Sequence, residues 1–186
     1  MKKLLLLFIF SFLIFNNNFA ANYETEQALK LNNLFTKLSK NKDYKEADIL
    51  EKKIWAIWNK HPNNQKLTEE LEFGTKLMYQ GSYQDALKIF TNIVNSDPYW
   101  SEAWNKRATL LFFMKDYQKS LNDIDKVLNL EPRHFGALSG RAQIYIELTF
   151  YEKALKDLKK AKEIHPVSRG NKLIDQIEKL IDRQNV

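Results

Sequence analysis

The residues from Leu67 to Ser168 spell one 34-residue unit three times, and nothing else in the chain restricts its fold as strongly. Tyr83, Tyr117 and Tyr151 are spaced by 34, as are Pro98, Pro132 and Pro166, Leu87, Leu121 and Leu155, and the small residues Ala86, Ser120 and Ala154. The units run Leu67 to Trp100, Ser101 to His134 and Phe135 to Ser168, and their columns are numbered 1 to 34 from those starts. A period of this length belongs to stacked supersecondary units, each burying its apolar face against a neighbour.

Within the unit, Trp104 holds column 4; Gly74, Ala108 and Ala142 hold column 8; and Leu77, Leu111 and Tyr145 hold column 11. Gly81 stands at column 15, the tyrosines at 17, the small residues at 20, Phe90, Ile124 and Leu158 at 24, and the prolines at 32. Columns 8 and 20 are small where two helices of a hairpin come closest. Proline ends the second helix by removing a donor and restricting its predecessor. Column by column, the chain resembles the tetratricopeptide-repeat family. The resemblance implies an all-α fold, a right-handed superhelix of stacked hairpins. The stretch from Leu130 to Gly140 also resembles small exported proteobacterial proteins of that family, a group without an assigned activity.

At 186 residues the chain is long enough for one packed domain, and its 5 Gly and 4 Pro suit long helices with short turns. Pro62, Pro98, Pro132 and Pro166 each close a helical hairpin. The formal charge is +6, of which Lys2 and Lys3 supply two, so a chain from residue 21 carries +4. Basic and acidic residues alternate along the helices, which reads as a solvated surface and not a nucleic-acid stripe. The absence of cysteine excludes disulfides, cysteine-ligated metals and an amino-terminal lipid anchor.

Residues 1–20 read as a secretory signal: basic Lys2 and Lys3, an apolar run from Leu4 to Phe15, then Asn16 to Asn18 before Phe19-Ala20-Ala21. Twelve helical residues cover about 18 Å, short of a hydrocarbon core of about 30 Å. Export with cleavage near Ala20 or Ala21 is the expectation, periplasmic or secreted, with an uncleaved anchor or a cytoplasmic protein as the alternatives. No stable membrane insertion is expected after cleavage.

Residues 25–66 read as a divergent hairpin of the same kind. Ala28, Leu31, Leu34, Phe35 and Leu38 form its first apolar stripe, and Tyr44 with Ala47 repeats the spacing of columns 17 and 20. Trp55 and Trp58 fall in its longer second helix, placed either to cap the open end of the core or to face a partner. Three regular repeats follow at 67–100, 101–134 and 135–168. A capping helix at 169–184 carries Leu173, Ile174, Ile177, Leu180 and Ile181 on one face, with Ser168 as its cap.

Arg107 and Arg141 hold column 7, and Asp123 and Asp157 hold column 23; in the first repeat the same columns turn apolar together, as Phe73 and Ile89. Matched switching predicts two structural ion pairs across the hairpins. His61, His134 and His165 lie at separate hairpin junctions, unsuited to a shared metal or a catalytic base. With no phosphate loop and no convergent carboxylates, the expectation is a protein that is not an enzyme and needs no cofactor.

By resemblance, the first helix of each hairpin lines a concave groove that receives a protein or peptide. The corresponding residues are Thr75, Met78 and Tyr79; Tyr99, Trp100 and Asn105; Thr109, Phe112 and Phe113; and Arg133, His134, Ser139 and Gln143. Rigid aromatics beside hydrogen-bonding groups suit such a surface, with Trp100 as its expected anchor. The alternative is a groove filled by the chain itself, for instance by the amino-terminal segment. The carboxylate clamp of the chaperone-binding subgroup falls on Leu71, Thr75, Lys106, Gly136 and Gly140, none of which matches it. The function expected is a non-catalytic adaptor or scaffold. Its rivals are a structural envelope subunit self-associating through Trp55 and Trp58, or a cell-wall glycan binder using Tyr79, Tyr99 and Trp100.

Overall fold

The computed structural model describes residues 26–184, so the signal-like segment 1–20 lies outside the described residues. Among the described residues there are nine α-helices and no strand. They are α1 (26–40), α2 (Tyr44–Trp58), α3 (Gln65–Tyr79), α4 (Tyr83–Ser96), α5 (Ser101–Phe113), α6 (Tyr117–Leu130), α7 (Phe135–Glu147), α8 (Tyr151–Ile164) and α9 (Lys172–Gln184). A 3-10 turn at Arg169–Asn171 precedes α9.

Side-chain caps set where several helices begin: Asp43 accepts from the Glu46 N–H, Asn64 from Leu67, Asp116 from Lys119 and His134 from Ala137. The ends of α3, α5 and α7 share one device. Column 15 takes a left-handed backbone in every repeat, as Gly81 (φ 82°), Lys115 (φ 61°) and Thr149 (φ 61°). The next N–H then reaches back five residues: Ser82 to Leu77 O, Asp116 to Leu111 O and Phe150 to Tyr145 O, at 2.8 to 2.9 Å. Lys115 and Thr149 accept a cost of about 1 to 2 kcal/mol that glycine avoids.

From α3 to α9 each helix packs on the next, giving the all-α stack of hairpins that the repeat implies. Columns 8 and 20 mark the closest approach. A Cβ on Gly74 would lie 2.7 Å from the Phe90 ring, and the Ser120 hydroxyl donates to Ala108 O at 2.7 Å across the second hairpin. Phe90, Ile93, Ile124 and Val127 complete these cores, and Ile174 and Ile177 of α9 close the last one against Ala142, Ala154 and Leu158. Ser168 caps the 3-10 turn through the Gly170 N–H, so α9 starts three residues later than a direct Ser168 cap would place it.

Columns 7 and 23 meet as bidentate pairs. Arg107 donates to Asp123 at 2.7 and 2.8 Å, and Arg141 to Asp157 at 2.7 and 2.9 Å, with a further bond to Asp125 at 2.8 Å. Arg107 also lies 4.8 Å over the Trp104 ring.

The hairpin α1–α2 does not extend this row. Its apolar stripe, Leu31, Phe35, Leu38, Ala47, Leu50, Ile54 and Trp58, shares one core with Phe135, Leu138 and Ala161 of the third repeat. The outer face of α3 explains why. Columns 3 and 10 are buried at Ala103, Leu110, Ala137 and Ile144, where a preceding repeat covers them, but are the exposed Glu69 and Lys76 on α3. A helix stacked there would bury two unpaired charges.

Asp123→Ala strands a mostly buried guanidinium and should lower stability by about 2 to 4 kcal/mol. Adding Arg107→Leu should recover at least half of the loss, because the stranded charge is gone. Urea denaturation of the two single variants and the double variant measures the coupling.

Candidate functional site

The three inter-repeat junctions form a row, and α2 lies along it in reverse order. Its first residue, Tyr44, is hydrogen-bonded by Arg169 after the third repeat. About two turns on, Glu51 meets His165 Nε2 at 3.0 Å. Trp55 and Trp58 reach the second junction, and the end of the helix reaches the first, where Trp100 Nε1 donates to Trp58 O at 2.9 Å. Just beyond, His61 Nδ1 accepts the Asn63 N–H, which leaves Nε2–H to donate to Asp97 at 2.7 Å.

Trp58 is the centre of this contact. Its ring stacks on His134 with centroids 4.0 Å apart and planes 7° from parallel, and it also touches Phe35 and Phe135. Trp55 packs edge-on against Phe135 at 5.6 Å, under the Lys106 ammonium at 5.8 Å. Glycine at 136 makes room for it, since a Cβ there would fall 2.5 Å from the Trp55 ring.

Beneath the tryptophans lies a fully buried carboxylate. Glu102 accepts from His134 Nε2–H at 3.0 Å, from Lys106 at 3.0 Å and from Asn105 Nδ2 at 3.2 Å. The His134 tautomer is set by its Nδ1, which accepts the Ala137 N–H at 3.1 Å. Burial pushes the Glu102 carboxyl up, but the His134 hydrogen bond and the Lys106 charge outweigh it and hold the group below the usual glutamate range. Glu51 is held low chiefly by its hydrogen bond from His165. Both carboxylates have folded values depressed below unfolded ones, so their stabilisation is present above the ordinary glutamate range and lost as pH falls through the depressed values.

The residues expected to line an open groove are therefore divided. Trp100 is only 6% exposed and His134 is fully buried, both against α2; Asn105 is spent on Glu102, and Met78 is core. Arg133 lies 4.4 Å over Phe35 of α1, doubly bonded to Glu131 and bonded to Asn32 at 2.6 Å. Trp100 thus serves as a docking surface for the chain's own helix, not as a free anchor. The open part consists of columns 9 and 13. Tyr79 is 74% exposed and Phe113 42%, with half-buried Thr75, Thr109 and Gln143 beside them and Phe112 tucked onto Tyr117. Ser139 is exposed on α7, and Tyr99 stands 79% exposed at a cleft of about 690 Å3 between α1 and the first two junctions.

Both rival surfaces are taken apart by the same packing. Trp58 is buried and Trp55 half-buried against the chain's own repeats, so the pair is not the open end of the core. Burial of Trp100 likewise separates it from exposed Tyr79 and Tyr99. Among the described residues no group of three or more histidines and acids is placed to hold a metal. Glu51, His61, Glu102 and His165 were not expected to act together. The available signal was that each histidine sits beside a junction proline and that the junction columns 31 and 34 carry Asp97, Trp100, His134 and His165.

Residues 101–134 match the family model described as tetratricopeptide repeat. The fold is similar to the first TPR domain of human RPAP3, 25% identical with a TM-score of 0.60, over 64% of this chain and 95% of that one. It is similar to the first TPR of Spaghetti (RPAP3) bound to the HSP90 peptide SRMEEVD, 25% identical with a TM-score of 0.61, over 64% and 96%. The Sgt2 TPR domain from Aspergillus fumigatus aligns at 17% identity and a TM-score of 0.61, over 66% and 83%. No curated protein matches the sequence. The chain carries tetratricopeptide repeats, and its architecture is that of tetratricopeptide-repeat domains.

Two glycines of α7 separate docking from helix stability. Gly136→Ala should wedge Trp55 away from the repeats and cost about 1 to 3 kcal/mol. Gly140→Ala, with nothing within 4 Å of its Cβ, should be neutral or stabilising by up to about 1 kcal/mol. Urea midpoints of the two variants, compared at constant slope, test the assignment.

Proposed function

We propose that this protein is an exported, non-catalytic interaction module that binds a peptide or protein on the part of its concave face that α2 leaves open. The observation that carries this reading is the exposure of Tyr79 and Phe113, which occupy the same column of adjacent repeats. Thr75 and Thr109 stand beside them; their hydroxyls donate to Leu71 O and Asn105 O of their own helices and keep lone pairs as acceptors, one position per repeat. Equivalent columns of stacked repeats run parallel, so these residues form a ladder an extended segment can follow. Aromatic rings with few rotatable bonds are favourable anchors for such a segment.

The RPAP3 and yeast Sti1 domains of similar fold were solved with HSP90 or HSP70 peptides, which supports a peptide-binding role for the fold. The ligand here differs in chemistry. The clamp positions hold Leu71, Thr75, Lys106, Gly136 and Gly140, and Lys106 is committed to Glu102, so an acidic carboxy-terminal peptide lacks its cationic receptor. An apolar or aromatic segment suits the ladder better. Export rests on Lys2, Lys3 and the apolar run Leu4 to Phe15; among the described residues no helix is long and apolar enough to cross a membrane.

A photo-crosslinking residue at position 79 or 113 of the full chain, expressed in its native envelope, tests both parts at once. The expected result is a discrete adduct at each position, none from position 152 on α8, and an adduct whose amino terminus lies near residue 21. Absence of adducts at 79 and 113, or an intact Met1, contradicts the corresponding part.

A further inference from the structure

Resting on the reading of this protein as an interaction module, we propose that the junction surface is a receptor for an amphipathic helix and that α2 is its resident, exchangeable occupant. The partner it fits is a helix carrying two tryptophans three residues apart and a carboxylate one turn before the first. That is the pattern of Glu51, Trp55 and Trp58 as they sit on the surface.

Three observations point to exchange. The repeats supply most of the receptor: Trp100, His134, Phe135 and the notch at Gly136 take the aromatic pair and His165 takes the carboxylate, while Phe35 of α1 adds one further ring against Trp58. Its charge is complementary to the pattern, with Lys106 over the Trp55 ring and Arg169 beyond His165 near the start of the helix. The fit is also incomplete. Trp58 Nε1 and His165 Nδ1 are both buried without a hydrogen-bond partner, one on each side of the interface. Leaving two such groups unpaired penalises the docked state, a penalty that a partner helix with better-placed acceptors would avoid. The outer face of α3 offers the hairpin no second seat, because Glu69 and Lys76 make it polar.

A tethered occupant competes at an effective concentration in the millimolar range, so a free helix binds the intact protein weakly until the tether's hold is reduced. The test uses a fluorescent synthetic peptide with the sequence from Asp43 to Asn59, titrated by anisotropy into the full chain. Wild type is compared with Trp55→Ala/Trp58→Ala, which weakens the resident helix and leaves the receptor residues untouched. Circular dichroism and cooperative unfolding establish that the variant keeps its repeats. The expected result is at least tenfold tighter peptide binding by the variant, and no binding of a peptide with both tryptophans replaced by alanine. If the double variant does not fold, Glu51→Gln carries the test, with a smaller gain of at least threefold. Equal affinity for wild type and folded variant, or no binding to either, overturns the proposal. So does a loosened variant that dimerises and refuses the peptide, since its occupant is then a second copy. Because the readout is a defined peptide and not capture at Tyr79 or Phe113, this proposal and the open-ladder reading fail separately.

Discussion

The packing of Trp58 between the first and second inter-repeat junctions is the contact on which the rest of the arrangement depends. Its ring lies flat on His134, its carbonyl takes the Trp100 indole proton, and its helix carries Glu51 to His165 and leads to His61 at Asp97. His134 can lie under that ring only because its far nitrogen donates to Glu102, a carboxylate removed from water. A buried charge of this kind is tolerable when every acceptor site is used, and His134, Lys106 and Asn105 use them. An apolar stack above and a satisfied charge network below therefore stabilise one another.

Much of the fold is legible from residue spacing, because each repeat column has a steric cause. Gly74 must be small where Phe90 would meet a Cβ, and Ser120 where it reaches Ala108 O. The switch from Phe73 and Ile89 to Arg and Asp in the next two repeats identifies a side-chain contact before any coordinate is known. Lys115 and Thr149 are the less legible case. They take the left-handed turn that Gly81 takes freely, which a glycine-based reading finds only once in three repeats.

The seat of α1–α2 is where spacing is ambiguous. Tyr44 and Ala47 keep the repeat's spacing, so the segment reads as one more unit, yet its apolar stripe covers the junctions instead of α3. Helical periodicity tells which face is buried and not which surface buries it. The discriminating residues stand in the neighbour: Glu69 and Lys76 occupy columns that are alanine, leucine or isoleucine wherever a repeat is covered. Trp100 and His134 were legible as junction residues with something to bind, and what they bind is in the same chain. The consequence is a repeat surface in two parts, one covered by an internal helix and one presenting Tyr79 and Phe113 to solvent.

The seating of α2 on the junctions is tested most directly by nuclear Overhauser effects from the Trp58 ring in the folded protein. The expected result is cross-peaks to the ring protons of His134 and Phe135, and from the Trp100 indole proton to the Trp58 backbone. Cross-peaks from α2 to the Glu69, Phe73 or Lys76 side chains of α3, with none to His134, would contradict it.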